Sequence, residues 1–173
     1  MTSRARRPGR RLDRVDLLLT PEDPDRIADL PPYQRLLDTW RERGWLERDS
    51  PGAARDALVT GGFARLWLDQ RDRPSLFVNR LGGFRVRCPA SGANVAGPFG
   101  QAVQSWRNGG SRILSCTCGD THPLENMDLQ PPGAIACFAV VFGDARGNRL
   151  EPAALSELQE VLGPLRTLLH RVG

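Results

Sequence analysis

The sequence predicts an α+β fold, a mainly antiparallel sheet with helices on one face, and three observations carry that expectation. Tyr33, Leu36, Leu37 and Trp40 recur at i, i+3, i+4 and i+7, the period of one buried helix face. From residue 60 the period falls to 2, with Phe63, Arg65 and Trp67 alternating with Ala64, Leu66 and Leu68, as in strands with one face in the core. Residues 134–142 then run without a charge, as a strand covered on both faces does. A chain of 173 residues buries roughly 70% of its unfolded surface on folding. One domain is expected, residues 15–173, behind a disordered arm at residues 1–14.

Taken in order, Thr20-Pro21 or Asp23-Pro24 opens a short helix that ends before Pro31-Pro32, so the N-terminal segment is expected to be helical. The Tyr33 to Trp40 stripe forms a second helix, closed by Gly44 in the left-handed conformation. Two apolar runs at 63–68 and 76–78 flank Asp72-Arg73-Pro74 and read as a hairpin. In Phe84-Arg85-Val86-Arg87 the alternation puts both arginines on one solvated face. Pro98 opens a compact helix whose apolar stripe is Phe99, Ala102, Val103 and Trp106, with Gly109-Gly110 as its stop. A short strand at 111–115 follows, and residues 134–142 make the central strand, with Cys137 as a small core hydrophobe. Leu155, Leu158, Leu162, Leu165 and Leu169 then suggest one helix from Pro152 to His170, kinked at Gly163-Pro164. Its leucine seam is the surface on which a homodimer rather than a monomer would form. His170 is expected in the last helical turn, where a cation complements the dipole.

Charge narrows the function classes. All 24 basic residues are arginines, and Arg4, Arg6, Arg7, Arg10, Arg11 and Arg14 precede residue 15, leaving 18 arginines against 19 acids in the body. Positive charge therefore belongs to the arm, the one route by which nucleic acid is expected to bind. Lysine is absent, so P-loop nucleotide hydrolysis, kinase chemistry and pyridoxal phosphate chemistry, which need its amine, are excluded. The apolar run after the arm spans only 15–19 and contains Asp16. That is too short for an export signal or a membrane span, so a cytoplasmic protein without a membrane partner is expected. In that compartment four cysteines are thiols or metal ligands rather than disulfides.

One constellation carries chemistry. Arg87-Cys88-Pro89-Ala90-Ser91-Gly92 and Leu114-Ser115-Cys116-Thr117-Cys118-Gly119 resemble the paired Cys-Pro-x-Cys-Gly knuckles of a zinc ribbon, with residues 84–122 as a ribbon-like insertion. The resemblance implies a zinc site in which backbone N–H groups point at sulfur. Ser91 stands where the first knuckle's second cysteine belongs, and the second knuckle shortens to C-x-C. The site is therefore rebuilt from Cys88, Cys116, Cys118 and His122, three thiolates and one imidazole, a set that zinc accepts. Two features oppose it: the one-residue bite between Cys116 and Cys118, and the restriction that Pro123 places on His122. The runs Phe84-Arg85-Val86-Arg87-Cys88-Pro89 and Leu114-Ser115-Cys116 are also similar to a group of uncharacterised proteins from GC-rich bacteria, some bearing a transporter-ATPase label that the missing lysine argues against.

Two functions follow as expectations. One is a non-enzymatic binding protein with a structural zinc site and an unidentified protein partner. The alternative is a thiol-based redox or sensor protein using Cys116-Thr117-Cys118, since a strained disulfide is labile. A hydrolytic site with His122 as base, oriented by Asp120, Glu125 or Asp128, lacks any accompanying nucleophile motif.

Overall fold

The computed structural model describes residues 14–47, 56–79 and 83–172. In chain order the elements are β1 (Arg14–Pro21), α1 (Leu30–Glu42), β2 (Arg65–Phe77), β3 (Arg85–Arg87), α2 (Ala96–Arg107), β4 (Ile113–Ser115) and β5 (Thr121–Pro123). A single 3-10 turn (Leu124–Asn126), β6 (Asp128–Gln130), β7 (Ala134–Ala145), α3 (Pro152–Leu162) and β8 (Leu165–Val172) complete them. The fold is α+β, and none of the described helices is long and apolar enough to cross a membrane.

Four strands form one sheet in the order β2-β7-β1-β8, every neighbouring pair antiparallel. With the segment between β2 and β7 set aside, the chain runs β-α-β-β-α-β, and each helix connects two strands that leave one strand between them. That is the split β-α-β arrangement. Strand alternation assigns the two faces. Leu17 and Leu19 of β1 and Phe138, Val140 and Phe142 of β7 point at the helices, where they meet Tyr33, Leu37 and Trp40 of α1 and Ala154, Leu158 and Leu162 of α3. Leu18, Ala139, Val141 and Leu168 point the other way and carry no helix of the core pair. Arg85 and Arg87 are exposed and Cys137 is buried, as expected, and burial raises the Cys137 thiol pKa.

Four local expectations are corrected. The short helix expected from Thr20 or Asp23 to Pro31 is absent: residues 14–21 are a strand, with Leu17, Leu18 and Leu19 all buried between β7 and β8, and 22–29 are turn and irregular backbone. Pro31 and Pro32 open α1 instead of ending a helix before it; first-turn positions tolerate the missing N–H. The expected hairpin at Asp72 is one long edge strand. Gln70 pairs with Phe138 and Ser75 with Ala136, so four residues bulge opposite Cys137, and an edge strand tolerates Pro74 there. The C-terminal helix stops at Leu162, since Gly163 takes φ 80° and Pro164 offers no N–H. Leu165 to Val172 then becomes β8, the leucine seam is split between a helix and a strand, and His170 lies in β8 opposite Asp16. The arm at 1–14 falls outside the described residues except for the backbone of Arg14.

The two helices are also joined by polar contacts. Trp40 Nε1 donates to Glu157 Oε2 at 2.7 Å and Arg43 Nη1 donates to Oε1 at 2.6 Å. Burial pushes the Glu157 carboxyl up, but the Trp40 N–H and then Arg43 outweigh it and hold the group below the ordinary carboxylate range. A carboxyl depressed in the folded state stabilises above its unfolded pKa and loses that contribution as pH falls. Arg43 is largely exposed, so the effect is modest. Glu157→Gln is expected to cost about 1 kcal/mol near neutral pH and progressively less as pH falls below about 4 through the depressed titration of the carboxyl, read from urea midpoints at neutral and acid pH.

Candidate metal centre

The segment between β2 and β7 builds a small unit of its own around Val86, Val95, Phe99, Val103, Leu114, Leu124 and Leu129. Strand β3 pairs with β6 and β4 with β5. The alternation in β3 turns Val86 inward and Arg85 and Arg87 outward, and one further step along, Cys88 again faces inward and is 1% exposed. In β4 the same alternation buries Leu114 and then Cys116, which is 9% exposed. His122 of β5 pairs across from Leu114 and so shares its inward face. The unit is tied to the main sheet by Ile135, Leu76 and Val78, and by a fork from Arg112 to both oxygens of Asp25 at 3.0 and 2.5 Å.

Two tight turns then bring the donors together. In the first, Gly92 N–H donates to the Cys88 carbonyl at 2.8 Å and Cys88 N–H to Ala93 at 2.9 Å. In the second, Gly119 N–H donates to Cys116 at 3.1 Å and Cys116 N–H to Asp120 at 2.8 Å. Gly92 and Gly119 hold φ of 69° and 97°, a left-handed backbone that an L side chain resists. A Cβ at either position meets nothing within 4 Å, so backbone strain rather than crowding selects glycine.

The ligand atoms of Cys88, Cys116, Cys118 and His122 all lie within 4.8 Å of one another. Cys88 Sγ is 3.7 Å from Cys118 Sγ and 3.5 Å from His122 Nε2, and Cys118 Sγ is 3.4 Å from Nε2. Tetrahedral zinc, with bonds of about 2.3 Å to sulfur and about 2.0 Å to nitrogen, needs edges of roughly 3.8 Å and roughly 3.5 Å. All four expected residues therefore meet at one point, close enough to hold a metal ion. Both features that opposed the site are accommodated. His122 sits in β5, the extended conformation that a residue before proline prefers, and Thr117 stands in a turn that leaves Cys118 at the exposed end of the cluster.

Ser91 has a place in the cluster too. Its hydroxyl, and then its N–H at 3.4 Å, bond to the Cys88 sulfur and, against burial, lower that thiol to about 6. The Asp120 N–H pulls Cys118 down, but its contacts with Cys116, burial and its contact with Cys88 outweigh this and raise Cys118 to about 11. One sulfur is thus readily charged and its neighbour resists charging, so a metal must displace the Cys118 proton on binding. The sequence pattern did not reveal this use of Ser91, which occupies the position of a missing ligand and supports a present one.

A second concave region was missed. Asp16, Trp67 and His170 line the opposite, helix-free face of the main sheet, and their shared side became visible only once β1, β2 and β8 were known as neighbours. The alternation of Trp67, Asp69 and Arg71 was the available signal. Comparison with protein-family models, with curated proteins and with solved structures finds no match to this chain. Gly119→Ala is expected to destabilise the protein by about 1–2 kcal/mol through its positive φ, with Gly97→Ala in α2 as the tolerated control, both followed by urea unfolding.

Proposed function

We propose that the protein is a non-enzymatic, zinc-stabilised binding protein whose two turns are degenerate zinc-ribbon knuckles. The observation that carries this reading is the set of three edges between Cys88, Cys118 and His122, each within about 0.2 Å of a zinc tetrahedron's. Three thiolates and one imidazole fill four positions and leave none open for a water or substrate, which favours a structural over a catalytic metal. Soft sulfur donors favour zinc over magnesium or calcium. The four cysteines are free thiols, which suits a reducing compartment such as the cytoplasm. Zinc here would hold β3, α2 and the β4–β5 hairpin in one arrangement. Arginines in residues 1–14 remain the proposed route for any nucleic-acid contact.

Purified full-length protein is expected to contain one zinc per chain, to lose it to a strong chelator and to melt at a sharply lower temperature afterwards. His122→Ala is expected to weaken zinc binding by more than about 100-fold, beyond the loss seen when only an outer-shell partner is removed. Protein that carries no zinc yet keeps ordinary thermal stability overturns the proposal. The thiol-sensor reading through Cys116-Thr117-Cys118 is favoured by one observation, that these two sulfurs lie within 4.8 Å of each other, and a thiol count unchanged after mild oxidation excludes it.

A further inference from the structure

The helix-free face of the sheet is not flat. Asp16 and Leu18 of β1, Trp67 and Asp69 of β2, Val141 of β7 and His170 of β8 floor a cleft of about 650 Å³. One wall comes from the inserted unit, where Trp106 and Arg107 end α2. That volume lies within the range of small-molecule sites.

Its charge is unbalanced. Arg71, Arg73 and Arg107 line the cleft against two aspartates, while Arg171 at its margin pairs with Val15 and so directs its side chain to the helix side of the sheet. Asp69 is engaged by Arg71, with Nε at 2.7 Å and Nη2 at 2.8 Å from its oxygens, and Asp16 Oδ1 accepts the Asp144 N–H at 3.0 Å. Arg73 and Arg107 have no ion-pair partner among the described residues. In a chain whose body is nearly neutral, two such guanidinium groups around one concavity make it locally positive. The indoles supply the complement. Trp67 remains 36% exposed and its ring lies over Gly143, where a Cβ would stand 2.5 Å away, while Trp106 is half-buried.

We infer that this cleft binds a small organic anion with a flat apolar body, such as an aromatic carboxylate, sulfonate or phosphate ester. The tryptophans take its body, and Arg73 and Arg107 take its charge. This deepens the binding-protein reading and rests on it, because the metal unit positions α2 and hence Trp106 and Arg107 at the rim.

The test is a titration of full-length protein with anilinonaphthalene sulfonate, followed by probe and tryptophan fluorescence, alongside the uncharged phenylnaphthylamine. Expected are one sulfonate per chain, quenching of tryptophan emission, and at least tenfold weaker binding of the uncharged probe. Arg73→Glu is expected to weaken the sulfonate at least tenfold, as is Arg107→Glu, an independent change on α2 that guards against misfolding of the first variant. Arg85→Glu, on the outer face of β3, is expected to leave binding within twofold. Absence of sulfonate binding, equal binding of both probes, or indifference to both arginine changes overturns the inference. Zinc content measured on the same samples separates the two claims: zinc held without probe binding overturns the cleft alone, and probe bound without zinc overturns the metal reading alone.

Discussion

Convergence of two tight turns at one point organises the unit inserted between β2 and β7. Cys88 arrives from β3 and Cys116, Cys118 and His122 from the β4–β5 hairpin, and their ligand atoms gather within 4.8 Å. Each strand in the unit is three residues long, too short to hold a register by its own hydrogen bonds. A modest apolar cluster around Phe99 and Leu114 supports them. A metal ion held at the tips would supply what so small a core cannot, since its binding free energy would be folding free energy.

The main sheet is built on the opposite economy. Its central strands β1 and β7 are buried along their length and packed by two helices, so it needs no crosslink. A face that neither core helix covers is the consequence, although its apolar residues are buried. Both crossovers put their helices on the same side, leaving Leu18, Ala139, Val141 and Leu168 uncovered by them, and the inserted unit leans α2 over one end of that surface. Metal centre and cleft are thereby linked through a single helix, with Cys88 and Cys116 packed in the cluster that holds Val103 and the tip residues Trp106 and Arg107 at the cleft.

Local chemistry was legible in the residues, and long-range pairing was not. Four ligands could be chosen because cysteine and histidine are scarce, and glycine after each turn signalled the bend. The uncharged run at 134–142 could be placed as a central strand because both its faces had to be covered. At Asp72 and at Gly163-Pro164 the sequence carried a break without its outcome. A proline on an edge strand produces a bulge as readily as a turn, and only the pairing of Gln70 with Phe138 and Ser75 with Ala136 distinguishes them. Leucines spaced 3 and 4 apart belong to a helix unless the sheet has room for one more strand, as it does beside β1. The helix-free face was invisible for the same reason, since Asp16, Trp67 and His170 come from three separated segments.

X-ray absorption at the zinc edge of the metal-loaded protein tests the central claim most directly. The account predicts three sulfur neighbours at about 2.3 Å and one nitrogen neighbour at about 2.0 Å, the shell that Cys88, Cys116, Cys118 and His122 supply. A shell of oxygen and nitrogen alone, or fewer than three sulfurs, would contradict it.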